Sequence, residues 1–147
     1  MRIAVGSDHA GFTLKEHVKA TLAAAGHDVV DVGTTSTESV DYPGFAAEAA
    51  RLVAAGHAQR GVIACGSGVG VAIVANKVRG IRAVDAHDPD EAELSRRHND
   101  ANVVTLSGAR LAPEQADAIV ERFLATGFDG GRHARRVDQI SELDTCG

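Results

Sequence analysis

Five short runs of β-branched and small apolar residues recur along this chain, and each is followed by a stretch with helical spacing. No other feature constrains the fold as strongly. Strands separated by helices pair in parallel, through crossovers that lay the helices on the faces of the sheet. The strand-like runs cover 2–6, "DVVDVG" at 28–33, Val62 to Ala64 within "GVIACG", "IRAVDAH" at 81–87 and "NVVTLSG" at 102–108. A helix is expected over 13–25, with Leu14, Val18, Leu22 and Ala25 on one face and Gly26 as its stop. Further helices are expected over 45–55, ended by Gly56; in "VAIVANK" at 71–77; over 89–97, opening on a proline; and in "APEQADAIVERFLATG" at 112–127. A last one runs over 132–143, with Val137, Ile140 and Leu143 at helical spacing. The pattern implies a parallel sheet covered on both faces.

At 147 residues the chain fits one domain with a core of ordinary size. Four Phe, one Tyr and no Trp leave few platforms for stacking bases, and the net charge of −5 offers no basic footprint, so nucleic acid is not an expected partner. No apolar run approaches the ~20 residues that span a membrane. The opening "MRIAVGSDHAGF" reads as a strand and not as a leader. Cys65 and Cys146 form no CxxC pair, as in a reduced cytoplasmic protein with free thiols; Cys146 reads as incidental.

Four constellations carry possible chemistry. In "ACGSGVG" the cysteine ends an apolar run and opens onto Gly66, Gly68 and Gly70. The spacing is neither a P-loop nor a dinucleotide fingerprint, and Val71 stands where a Cys-x₅-Arg phosphatase loop needs arginine. The loop reads either as an oxyanion or phosphate cradle with an activated thiol, or as a buried cysteine beside a tight turn. "SDHAG" puts Asp8 and His9 just past the first strand, where α/β folds bind ligands, or else supplies a helix cap. In "SRRHNDAN", His98 and Asn99 are expected between a helix and the fifth strand, at or near its carboxyl end, for proton transfer and oxyanion donation or for capping. In "GGRHARRV", Arg132 and Arg136 lie one helical turn apart, as an anion clamp or as a solvated basic face. There is no HExxH, carboxylate cluster or ligand-spaced Cys/His set, so no metal is expected; His17, His27, His57 and His87 read as surface or capping residues.

Together "SDHAGF-LK", "DYP", "ACGSGVG", "ANK--GIRA", "SRRHNDAN" and "GGRH--RV" resemble, in order and over nearly the whole chain, the B-type ribose-5-phosphate isomerases and their galactose-6-phosphate and allose-6-phosphate isomerase relatives. The resemblance implies a single-domain three-layer α/β/α sandwich on a five-stranded parallel, Rossmann-like sheet. It also implies a homodimer or tetramer with active sites shared between subunits. The reaction implied is an aldose–ketose isomerisation of a phosphosugar through an enediolate, without metal or cofactor. Cys65 would be the general base, with Ser67 hydrogen-bonded nearby. Some relatives use a glutamate later in the loop; that position here is the apolar Val71. The amides of Gly66, Gly68 and Gly70, with Asn99 of a neighbouring subunit, would hold the enediolate oxygen. His98 with Asp8 would open the sugar ring, His9, Arg132 and Arg136 would hold the phosphate, and Tyr42 would line the sugar site. Arg110 would add a contact from the partner chain, although "NVVTLSGAR" runs one residue longer than the family's usual spacing before that arginine.

Overall fold

The computed structural model describes residues 1–144; Cys146 lies outside the described residues. Strands and helices alternate as β1 (Arg2–Ser7), α1 (Phe12–Ala24), β2 (Asp28–Asp31), α2 (Tyr42–Ala54), β3 (Arg60–Cys65), α3 (Val69–Asn76), β4 (Ala83–Asp85), α4 (Pro89–Asn99), β5 (Val103–Ser107), α5 (Pro113–Ala125) and α6 (Arg132–Leu143). Every strand pair is parallel, in the order β2-β1-β3-β5-β4. The expected three-layer α/β/α sandwich is the one observed.

Strand alternation divides the core. Ile3, Val5, Val62, Ala64, Val104 and Leu106 face Leu14, Val18 and Leu22 of α1, Ala92 of α4, and Ile119 and Phe123 of α5. Ala4, Ile63, Cys65 and Val103 face the other layer, where α2 brings Ala46, Ala49 and Ala50 and α3 brings Val71 and Ala75. The alanine face lets α2 lie close to the sheet. Phe123 is fully buried, and a side chain of that size contributes roughly 1.5–3 kcal/mol through burial.

Some boundaries differ from the sequence reading. Helix α2 begins at Tyr42, three residues before the expected 45, because Pro43 sits in its first turn, where a missing N–H costs nothing. Strands β2 and β4 hold only four and three residues. The main correction concerns α4. Its start is capped by Asp88, which accepts from Glu91 N at 2.8 Å. It then continues to Asn99 and ends where Asp100 turns left-handed at φ 46°. His98 and Asn99 therefore occupy its last turn and not a loop. Because α4 carries the chain back across the sheet, that turn lies at the amino edge: Asn102, three residues on, accepts from Gly61 N at the start of β3 and donates its own N–H to Arg82 O before β4.

Candidate active site

Neighbours β1 and β3 send their chains to opposite sides of the sheet, β1 to β2 and β3 towards β4. Such a switch point opens a crevice at the carboxyl edge. The loops after β1, β3 and β5 meet there with little side chain between them. Gly108 N donates to Cys65 O at 2.8 Å and Ala109 N to Gly66 O at 3.1 Å. Gly11, which opens α1, lies so close to Ala64 O that a Cβ there would overlap the carbonyl. Within this frame Asp8 is buried and its Oδ1 accepts from Gly11 N at 3.0 Å. His9 Nδ1 accepts from Val40 N at 3.1 Å, which pins the β2–α2 loop over the crevice.

Cys65 is the last residue of β3 and is 5% exposed. Its Sγ accepts from Gly68 N at 3.2 Å, a bond that strengthens when the sulfur carries charge. Gly68 caps α3 at φ 79°, so the turn aims its N–H back at the sulfur. A side chain at Gly68 would also meet Asp85 and the Leu106 backbone. Ser67 is exposed and its Oγ accepts from Val69 N at 3.1 Å, within the loop and not from the cysteine. The Tyr42 ring lies against Gly70, so Tyr42 and the α3 N-terminus form one wall.

Two supports of this loop escape the sequence reading. Thr105 is fully buried on β5; its Oγ1 lies 2.7 Å from Gly68 O and 3.2 Å from Asp85 Oδ1. Ser107 Oγ donates to Gly66 O at 2.6 Å and accepts from Arg110 N at 3.2 Å. Polar residues at alternate positions of an otherwise apolar strand were the available signal. Arg110 is exposed and stands in the turn beside Gly66, at the same edge of the same chain as Cys65.

The remaining residues gather at the other end of the sheet. His98 stacks on His133 of α6 with centroids 4.3 Å apart and planes 10° apart. Arg132 opens α6 and Arg136 follows one turn later, both exposed. Ion pairs and carbonyls organise this region. Arg96 is buried; its Nε donates to Thr126 O at 3.1 Å, and its Nη1 to Asp100 Oδ1 at 2.7 Å and Ala101 O at 2.6 Å. Arg82 Nε donates to Asn99 O at 2.8 Å and to Asp100 O at 3.1 Å. Arg97 pairs with Asp129 at 3.2 Å. Within one chain, Asp8, His9, Tyr42, Ser67 and Cys65 form one group and His98, Asn99, Arg132 and Arg136 another. A five-residue strand separates them by roughly 15–20 Å.

The two edges also differ in charge. At the carboxyl edge, Asp31 is pushed up by burial but held below the usual carboxylate range by Lys15, Lys19 and Gly33 N. At the amino edge, burial and then the like charge of Arg96 lower Arg60. His133 lies below the ordinary histidine value through partial desolvation and the charges of His98, Arg132 and Arg136, which outweigh Asp129. Ligand atoms of His98, Asp129 and His133 lie within 4.8 Å of one another, a grouping that sequence spacing does not announce. Arg97, Arg132 and Arg136 around it oppose a dication. A cavity of about 410 Å³ between α1 and α5, lined by Val18, Leu22, Val120 and Leu124, shares no residue with either group.

Residues 3–140 match the model of the Ribose/Galactose Isomerase family. The chain is 44% identical to ribose-5-phosphate isomerase B of Escherichia coli K12, over 97% of this chain and 96% of that protein. It superimposes on ribose-5-phosphate isomerase B of Clostridium thermocellum with a TM-score of 0.98 at 43% identity, covering 99% of both chains. The Mycoplasma genitalium enzyme, solved with bound ribulose-5-phosphate, gives a TM-score of 0.94 at 38% identity, covering 98% of this chain and 96% of that one. The match extends through both edges of the sheet, and the chain belongs to the ribose/galactose isomerase family of aldose–ketose isomerases.

Proposed function

We propose that this protein interconverts ribose 5-phosphate and ribulose 5-phosphate through an enediolate, in a site completed by a second copy of the chain. The observation that carries the reading is Cys65 at the switch point, with the Gly68 N–H on its sulfur and a glycine-cleared turn beside it. The Cys65 thiolate takes the proton from C2 and returns it to C1, while the hydroxyl proton passes from O2 to O1. Amides of Gly66 and Gly70 and the Asn99 side chain stabilise the oxyanion, while the Gly68 N–H stays on the sulfur; an oxyanion donor is worth roughly 3–4 kcal/mol. His98, with Asp8, moves the anomeric proton to open the furanose. His9, Arg132 and Arg136 hold the phosphate.

Two groups at opposite ends of one sheet cannot close on one sugar, so each edge meets the other edge of a partner. A two-fold axis makes that exchange reciprocal and yields two equal sites. Val69 and Ile73 on α3, beside the Cys65 loop, and Ile140 and Leu143 on α6 are apolar and exposed in the single chain, as surface covered by a partner would be.

The test is conversion of ribose 5-phosphate to ribulose 5-phosphate by the purified protein in excess chelator. Sustained turnover by a dimer or larger assembly is the expected result. A folded protein that leaves the pentose untouched and turns over a hexose 6-phosphate instead would replace the substrate.

A further inference from the structure

We propose that His133 is a positioning residue for ring opening: its imidazole, stacked on His98, fixes the plane in which His98 meets the sugar. The inference rests on the reading of His98 as the ring-opening group.

Among the described residues the His98 ring makes no hydrogen bond, and the Asp129 carboxylate, an oxygen of which lies within 4.8 Å of a ring nitrogen, does not fix its rotation through one. The face of His133 does, with centroids 4.3 Å apart and planes 10° apart. His133 in turn belongs to the first turn of α6, between Arg132 and Arg136. Its backbone N–H donates to Gly130 O at 3.1 Å, which ties the ring to the turn that starts the helix. The connector before that turn is bound to α4: Asp129 N donates to Arg97 O at 3.0 Å, and the Arg97 guanidinium pairs with the Asp129 carboxylate. The stack is thus braced from both helices.

This arrangement gives the arginines a second task. A phosphate held by Arg132 and Arg136 immobilises the start of α6, hence His133, hence the plane of His98. Binding energy from the non-reacting end of the sugar is spent on orienting the group that acts at the other end. The charges around the stack agree with a passive role for His133. Partial desolvation, His98, Arg132 and Arg136 keep its proton affinity below the ordinary value against the pull of Asp129, so near neutral pH it offers mainly a neutral ring face.

A tetrose 4-phosphate separates ring opening from every later step, because its 4-oxygen is esterified and no furanose forms. Turnover of ribose 5-phosphate and erythrose 4-phosphate is compared in wild type, His133→Ala and His133→Phe. The expected result for His133→Ala is a kcat loss on the pentose about tenfold larger than on the tetrose, with little change in the pentose KM. His133→Phe, which keeps a flat ring, restores most of it. Equal losses on both sugars would overturn the proposal, as a phosphate-site or folding defect would produce them. So would an unimpaired His133→Ala, or a His133→Phe as slow as the alanine variant. Nuclear magnetic resonance reads the stack without turnover. In wild type His133 titrates below the free-histidine range, and in His98→Ala it moves upward; His133→Ala removes a ring-current shift from the His98 C2 proton. An unchanged His98 resonance refutes the stack. A wild type inactive on both sugars refutes the proposed reaction and leaves the resonance test to decide the contact.

Discussion

The two edges of the sheet are built from different materials. At the carboxyl edge the loops of β1, β3 and β5 lie backbone on backbone, and the hydrogen bonds at Cys65 are made by amides and carbonyls. At the amino edge, guanidinium groups of Arg82, Arg96 and Arg97 hold the end of α4 by reaching carbonyls and carboxylates. The first construction leaves no room for a side chain at Gly11, Gly68 or Gly70 and is held mainly by backbone hydrogen bonds. The second has room, but fails if a cation is removed. On the proposed reading, which puts proton abstraction at one edge and ring opening at the other, the two steps can vary separately.

The sharpest way to break that contrast is at Cys65. Cys65→Ala is expected to lower kcat by about 10³-fold while substrate still binds, because one sulfur is lost and the amide frame stays. Calorimetric titration alongside steady-state kinetics checks the split. If binding is lost together with turnover, the frame depends on the side chain after all.

Next comes Arg96→Ala, which takes the donor from the Thr126 and Ala101 carbonyls and leaves the Asp100 carboxylate with Arg82 at 3.5 Å, and is expected to cost about 3 kcal/mol of stability. Arg96→Lys restores only part of it, since one ammonium cannot reach Thr126 and Asp100 with the geometry of a guanidinium. Denaturant unfolding measures both variants. Peptide-resolved alkylation of Cys65 in the folded variants reports the other edge and should be unchanged; a changed rate would mean that the edges are mechanically coupled.

The smallest effect is expected at Gly68. Gly68→Ala puts a side chain at φ 79° and against Asp85, for roughly 1–3 kcal/mol in stability, with a fall in kcat as the N–H turns away from the sulfur. A variant with normal kcat would show that this bond is idle in turnover.

The fold was largely legible because apolar runs and periodicity report which face of an element is buried; α4, with Ala92 as its one buried apolar residue, is marked instead by its opening proline. Leu14, Val18 and Leu22 of α1 are buried as expected, whereas Ala25, read on the same face, lies past the end of the helix and is exposed; Ile119, Val120 and Phe123 of α5 repeat at helical spacing and are buried. Periodicity does not report which end of the sheet a residue reaches. His98 and Asn99 were therefore expected near the carboxyl end, whereas the left-handed Asp100, not a glycine, ends α4 at the opposite edge. Strand order was equally silent. That β5 lies between β3 and β4 brings Thr105 and Ser107 under the Cys65 loop, and only contact in three dimensions reveals their work. Ile140 and Leu143 repeat at helical spacing but remain exposed on the single chain, because the pattern records an apolar face without naming what covers it.

The separation of the two groups across the sheet has a genetic consequence. With sites shared reciprocally, a Cys65→Ala chain and a His98→Ala chain are each inactive alone, since every site in either pure dimer lacks one residue. A mixed dimer concentrates both lesions in one site and leaves the other whole. Co-expression of the two inactive genes in equal amounts should therefore restore about a quarter of the wild-type activity. Two alleles at one locus would complement, whereas two lesions on the same edge would not.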